Sequence, residues 1–507
     1  MTGSTSQPPA APVSAPAGMG PRTAAVLVFG ASAAVLVVEI VALRLLAPYL
    51  GLTLETSTMV IGVALGAIAL GSWAGGWYAD RVDPRRLLGP ALAISGVIVA
   101  FTPLLMRATA EWSPPLLFLV AAGTIIVPGA LLSAVTPLVT KVRLTTIAET
   151  GTVVGRLSSI GTVGAIVGTV VTGFVLISHL PVSGILLGLG GLLVLGGVVM
   201  EWHGRRRRSA AALALVVAAG LGSGVAPGGC DAETRYHCVE VLADPERQGG
   251  RTLVLDGLRH SYVDIDDPTH LEFEYVRAIA AVTDAFFGPG EALDAYHLGG
   301  GGLTFPRYLE ETRPGTRSVV SEIDGGVVDI DRQLLGPDFG GGIEVRVEDG
   351  RLGLRELDGN SRDLVVGDAF GGVSVPWHLT TRRAMTDVHR VLDDDGVYAA
   401  NLIDHGDLAF ARAKVATMLE VFEHVAVVGE PSTVDVDSAD REGGNIVVVG
   451  SDRPLDPTAI ESALDARDTE WTAIAGDDVA TWVGDAQVLT DDHAPVDQLL
   501  QPYDFTS

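Results

Sequence analysis

Cysteine and basic charge are both scarce in this chain. Its 507 residues include only two cysteines, Cys230 and Cys238, in the stretch CDAETRYHC. Two thiols with no close partner ligands fall short of the tetrahedral set that a structural metal takes, so no metal is expected. In an oxidising compartment the pair would form a disulfide; in a reducing one it would be two free thiols. Basic residues are few where they would matter for nucleic acid. Residues 230–507 hold 21 Lys+Arg against 54 Asp+Glu, a net charge of −33. Phosphate backbones are repelled by such a surface, which excludes a nucleic-acid partner. The same charge would favour cationic ligands such as polyamines, and it is equally what a solvated acidic surface looks like. No GxxxxGK[ST] phosphate loop occurs, which argues against ATP hydrolysis. The opening MTGSTSQPPAAPVSAPAGMG has neither the charged start nor the apolar centre of a cleaved signal peptide, and 1–22 reads as a disordered tail.

What is present divides sharply. Residues 1–229 carry 13 Lys+Arg against 7 Asp+Glu, a net of +6. From Thr23 on, apolar runs occupy about 23–47, 57–79, 87–105, 114–137, 151–178 and 183–200, most of them long enough to cross a bilayer. A seventh, glycine-broken run at 209–226 would either span or lie at the interface. Arg22, Arg81, Arg85, Arg86, Lys141, Arg143, Arg156 and Arg205 to Arg208 all fall on one side if the N-terminus is cytoplasmic, with Arg107 the exception. A spanning seventh run would put the acidic half outside the cytoplasm, where Cys230 and Cys238 could pair. Glu39 and Arg44 lie in or at the end of the first run. An intramembrane ionisable pair suits a transport pathway, but a structural hydrogen bond and a snorkelling arginine explain it as well. The small residues of GSWAGGW fit close helix packing.

Beyond Cys230 the pattern alternates between short apolar runs and helical spacing. TLVLDG, AYHL, SVVSEID, IEVRVEDG, DLVVGDAF and GVYAANLI read as strands, with helices between several of them. That alternation predicts a parallel α/β sheet covered on both faces. Four glycines, Gly299, Gly300, Gly301 and Gly302, follow AYHL. A tight strand-to-helix turn needs glycine in any case, but successive strand ends here also carry Glu322, Asp349 and Asp368. Ligands bind at the carboxyl ends of such strands, and an acid some twenty residues beyond a glycine turn suits ribose hydroxyls. The register of GxGxxG is broken by Leu303 and Phe305. An adenosyl sulfonium, which has no phosphate and is cationic, fits the acids better than a dinucleotide.

At this point the residues resemble a known family, the spermidine synthase-like aminopropyltransferases, in the form fused to a membrane bundle. RYHCVEV, LVLDG, LGGGG, SEID, EDGR, VVGDAF, VPWHLTT and LTDDHAPVD carry the resemblance in the acidic half; VVEIVALRLLAPYLG and GSWAGGWYADR carry it in the membrane half. It implies an N-terminal all-α multi-pass membrane bundle (23–228), a small β region (229–270) and a Rossmann-like α/β domain of the S-adenosylmethionine-dependent methyltransferase type (271–507). The implied reaction moves an aminopropyl group from decarboxylated S-adenosylmethionine to a putrescine-like amine and releases methylthioadenosine. Gly299 to Gly302 would lie against the methionine-derived part of the donor, Glu322 would hold the ribose, and Asp349 with Gly350 would face the adenine. Asp368 would be the catalytic carboxylate, although an acid at a strand end is also an ordinary cap. The donor is a co-substrate, decarboxylated S-adenosylmethionine or S-adenosylmethionine itself, and no tightly bound cofactor is implied. A small-molecule amine, the lipid bilayer and a second copy in a homodimer are the expected partners.

The chain departs from the family where the amine would sit. The Asp and Gly of the family's GGGDGG become Gly302 and Leu303, and a Gln becomes His260. Its Tyr-His-Glu becomes His270, Leu271 and Glu272, and a second acid after Asp368 is missing. His260 and Glu272 are therefore the substrate-side candidates. His270 and His378 read as surface or supporting residues, and Trp377 as a residue that either covers the ligand or only packs. Two alternatives stand beside aminopropyl transfer. One is methyl transfer from intact S-adenosylmethionine, for which Arg307 could hold the ligand carboxylate. The other is a non-catalytic transporter or sensor that binds a polyamine or nucleoside. The family's donor points to a cytoplasmic acidic half, against the basic loops and cysteines, and the conflict disappears if 209–226 does not span.

Overall fold

The computed structural model describes residues 19–50, 54–112, 114–144, 149–201, 230–336, 341–435 and 443–501. The seventh apolar run, 209–226, lies outside the described residues. The chain divides into two compact units, Met1–Leu45 with Thr58–Gly229, and Leu46–Ser57 with Cys230–Ser507.

Among the described residues, six helices are long and apolar enough to cross a membrane: Pro21–Leu46, Thr56–Ala79, Arg85–Thr109, Leu119–Arg143, Thr150–Leu176 and Val182–Glu201. The first helix begins at Pro21, so Pro21 and Arg22 of the expected tail are helical. Small residues bring these helices together: a Cβ on Gly71 would lie 2.1 Å from the carbonyl oxygen of Ala130. Outward-facing Leu119, Phe174 and Leu192 are each about two-thirds exposed or more, as a lipid-facing surface requires. Basic helix ends gather at one end of the unit. Lys141 pairs with Asp80 at 2.8 Å, and Arg143 donates to the Met19 carbonyl at 2.9 Å.

The second unit opens with a four-stranded antiparallel sheet, β1 (Ala232–Glu233), β2 (Cys238–Ala243), β3 (Gly250–Leu255) and β4 (Leu258–Asp264). A disulfide joins Cys230 to Cys238, with Cα atoms 5.3 Å apart. The main sheet follows: β5 (Asp294–Leu298), β6 (Arg317–Glu322), β7 (Ile343–Val347), β8 (Arg362–Gly367), β9 (Leu392–His405), β10 (His424–Gly429), β11 (Gly443–Ser451) and β12 (Thr472–Ala475). Its order is β12-β10-β11-β9-β8-β5-β6-β7. Near-continuous apolar runs such as YHL in β5, LVV in β8 and VAVV in β10 are buried on both faces, the signature of central strands beneath helices.

The expected all-parallel sheet is corrected to a mixed one. Strands β5 to β9 are parallel, whereas β11 pairs antiparallel with both β9 and β10. A parallel connection needs a crossover of a dozen or more residues, usually a helix. The described helix after β10, Pro431–Val434, has four residues, and β11 runs back between β9 and β10, antiparallel to both. Strand order reverses between β5 and β8, and a ligand crevice opens at that reversal.

Candidate functional site

A cavity of about 630 Å³ lies along the carboxyl ends of these strands and is walled on one side by the small sheet. It brings together Gly299, Gly300, Gly301, Glu322, Asp349, Gly350, Asp368, His260 and Glu272. The local sequence explains each placement. At Gly299 φ is +94°, and a Cβ there would stand 2.3 Å from the backbone oxygen of Asp368. Only glycine lets β5 turn this tightly beside the end of β8. The Glu322 carboxylate then ties the turn down, accepting from the amides of Gly300 (2.8 Å) and Asp324 (2.9 Å). Asp349 caps the next helix through the amides of Arg351 and Leu352, and its second oxygen meets His378 Nε2 at 3.0 Å. Its cap geometry and its place on the cavity wall therefore coexist.

Both carboxylate oxygens of Asp368 are held by side chains. Tyr275 donates its hydroxyl to one carboxylate oxygen at 3.0 Å, and Asn401 donates its amide to the other at 3.1 Å. Asn445 donates in turn to the Asn401 carbonyl at 3.0 Å, which fixes the amide with its NH₂ toward Asp368. Loss of solvation in this enclosed position raises Asp368 to about 6, and the bonds from Asn401 and Tyr275 oppose that rise. At neutral pH the group is an anion with an appreciable proton affinity. Burial pushes His260 below its ordinary value, so its ring faces the cavity as a neutral base. Nδ1 of His260 lies 3.0 Å from the Leu258 carbonyl.

Several expectations change. Gly302 does not line the cavity. Its amide donates to Ser261 Oγ at 3.0 Å, and a Cβ would stand 2.7 Å from Val263, so it serves the packing of the glycine turn against β4. His270, read as a surface or supporting residue, lies outside the cavity wall, bonded to Glu272 at 3.2 Å, and Leu271 is buried in the core. Tyr275, in the first turn of the helix Glu274–Phe286, was not singled out from the sequence, yet its hydroxyl reaches Asp368. Trp377 is half-exposed and off the cavity; Trp471, nearly buried, lines it instead. Arg307 donates to the Leu335 and Gly336 carbonyls and does not line the cavity, so it offers no partner there for a ligand carboxylate. Asp491, in LTDDHAPVD, bonds Arg351 and Thr381 and supports the wall behind Asp349.

No family model matches the chain. It is 30% identical over 164 residues to the polyamine aminopropyltransferase of Chromobacterium violaceum, an overlap covering 32% of this chain and 60% of that protein. Over that overlap the chain is similar to the polyamine aminopropyltransferases. It is also 23% identical over 287 residues to a probable polyamine aminopropyl transferase of Bifidobacterium longum, covering 53% of this chain and 61% of the relative. The chain thus spans about three fifths of the length of these curated relatives. Among solved structures, a probable spermidine synthase from Corynebacterium glutamicum is 30% identical. That match covers 53% of this chain and 98% of the other, with a TM-score of 0.49.

Proposed function

We propose that the α/β domain transfers an aminopropyl group from decarboxylated S-adenosylmethionine to an amine. The observation that carries this reading is the row of Asp349, Glu322, the glycine turn and Asp368 along one cavity, ending in an acid raised to about 6. Asp349 and Glu322 hold the adenine and ribose ends, and the glycine turn lies against the chain leading to sulfur. An alkylamine is mostly protonated at neutral pH and is not then a nucleophile. Asp368 holds the ammonium and accepts its proton. The freed nitrogen attacks the carbon bonded to the sulfonium, a C–N bond forms, and the C–S bond breaks with its electrons going to sulfur. Methylthioadenosine leaves as a neutral thioether. Alignment of nitrogen, carbon and sulfur supplies much of the remaining acceleration. Arg307, the residue weighed for the carboxylate of intact S-adenosylmethionine, is turned away; the arginine on the cavity wall is Arg259, whose Cζ lies 5.1 Å from the centre of the Phe273 ring.

Calorimetry of the full-length protein tests the nucleoside half of this reading. Methylthioadenosine should bind, and Glu322→Gln should weaken it about tenfold through loss of charge-assisted hydrogen bonds. Equal binding by both proteins would remove Glu322 from the ribose site. The Asp368 assignment has its own pH signature. The acidic limb of kcat/KM should fall near pH 6, because protonating Asp368 below that value removes the base. Tyr275→Phe deletes a bond that favours the ionised form, so the limb should move to higher pH by about half a unit to one unit. A limb that stays in place in Tyr275→Phe contradicts this coupling.

A further inference from the structure

The Cys230–Cys238 disulfide closes a short loop that reaches the cavity by two routes. In the first, the Thr234 hydroxyl accepts from the amides of Tyr236 and His237 and donates to Asp324 Oδ2. A Cβ on Gly326 would stand 2.5 Å from Thr234 Cγ2, so the loop seats against the helix Gly325–Leu334 because that residue is glycine. Asp324 is fully buried, and its other carboxylate oxygen accepts from the Gly326 amide at 3.0 Å. The Asp324 amide donates to Glu322 Oε1, and Glu322 Oε2 accepts from Gly300. An unbroken run of contacts therefore leads from the loop through Thr234, Asp324 and Glu322 to the glycine turn. In the second route, the Cys238 amide donates to Asp256 Oδ1 at 2.9 Å, Asp256 Oδ2 meets His237 Nδ1 at 2.8 Å, and His237 lines the cavity.

The disulfide is the main tether of this loop. Strand β1, which lies within it, has two residues and pairs with β2 at Ala232–Val239 and Glu233–Cys238. So short a ladder holds weakly by itself. Joining Cys230 to Cys238 removes conformations that the open loop would otherwise visit. Withdrawal of Thr234 would leave the buried Asp324 Oδ2 without that donor, a cost relieved by movement of the backbone beside Glu322. A carboxylate fixed in advance spares its ligand the cost of ordering it, and affinity falls when that support loosens.

We propose that Thr234 and Asp324 are positioning residues for Glu322, and that the Cys230–Cys238 disulfide, by holding Thr234, makes nucleoside affinity depend on its redox state. The proposal rests on the reading of Glu322 as the ribose-holding acid. Reduction by a dithiol breaks the S–S bond. Two electrons and two protons give the Cys230 and Cys238 thiols, and the dithiol becomes a cyclic disulfide. The chain has only these two cysteines, so a thiol-dependent effect traces to this pair. The test uses full-length protein in lipid nanodiscs, oxidised or treated with dithiothreitol, with the thiol state read by mass spectrometry. Calorimetry should show methylthioadenosine binding about tenfold weaker after reduction. Thr234→Val should weaken it by a similar factor in the oxidised protein, with little further loss on reduction. Thr234→Ser keeps the hydroxyl and should stay within about threefold of the wild type. In turnover, reduction should raise the KM for decarboxylated S-adenosylmethionine and leave kcat within about twofold. An affinity that ignores reduction, or a loss on reduction as large in Thr234→Val as in the wild type, overturns this inference and leaves the nucleoside site standing. Absence of binding by every form overturns both.

Discussion

Asp368→Asn should lower aminopropyl transfer by roughly 10²- to 10⁴-fold, the range for loss of a positioned proton acceptor. The substitution keeps the shape of the side chain and removes its charge and most of its basicity. Asn401 and Tyr275 both donate to Asp368, and an Asn there would present only one acceptor oxygen to them. Methylthioadenosine binding should change by less than about threefold, because Glu322 and Asp349, proposed to hold the nucleoside, sit at the ends of other strands. This split between turnover and binding is the informative result. Equal loss of both would show that Asp368 organises the cavity as a whole. A turnover near that of the wild type would show that the amine loses its proton elsewhere.

Lys414→Met should stabilise the α/β domain by about 2–4 kcal/mol at neutral pH. Lys414 is 1% exposed, on the helix Ala409–Leu419, in the core between the sheet and its covering helices. Its ammonium reaches the Leu379 carbonyl at 3.3 Å and Met385 Sδ at 3.1 Å, and it sits 5.5 Å from the centre of the Tyr398 ring. No carboxylate is among these neighbours. Burial lowers its pKa from 10.5 to about 7, equivalent to a cost of about 3–5 kcal/mol for the charged form. The sign of the pH dependence follows. Between about pH 7 and 10.5 the unfolded chain holds a proton that the native one has lost, so native stability rises with pH across that window. Below pH 7 the full cost is present. The advantage of Lys414→Met should therefore be largest below pH 7 and shrink toward pH 10, read by thermal unfolding of the two full-length proteins. A pH-independent difference would assign the effect to packing and not to charge.

The contrast between the two halves of the chain was plain in the sequence because lipid and water impose opposite patterns. Six apolar runs became six helices with ends shifted by a few residues. The strand-end acids were legible because each closes a short apolar run, and the chain must leave the sheet there. Legibility ended where contacts depend on tertiary pairing. Nothing local marks Tyr275 as the partner of an acid 93 residues away. Asn401 offered a signal, since a polar residue inside the apolar run VYAANLI must find a partner when buried. That reasoning leaves the partner unnamed. Gly302 looked equivalent to its three neighbours, yet only the fold shows that it packs on Val263 and not on the cavity. The insertion of β11 between β9 and β10 reverses one strand, and a reversed strand has the same apolar pattern as a parallel one.

The most direct measurement of the central claim is amine-dependent release of methylthioadenosine from decarboxylated S-adenosylmethionine by the full-length protein in lipid. Mass spectrometry would follow the thioether and the lengthened amine together. The predicted result is equimolar formation of methylthioadenosine and an amine one aminopropyl group heavier, abolished in Asp368→Asn. A folded protein that binds methylthioadenosine but forms neither product with any amine would contradict the account.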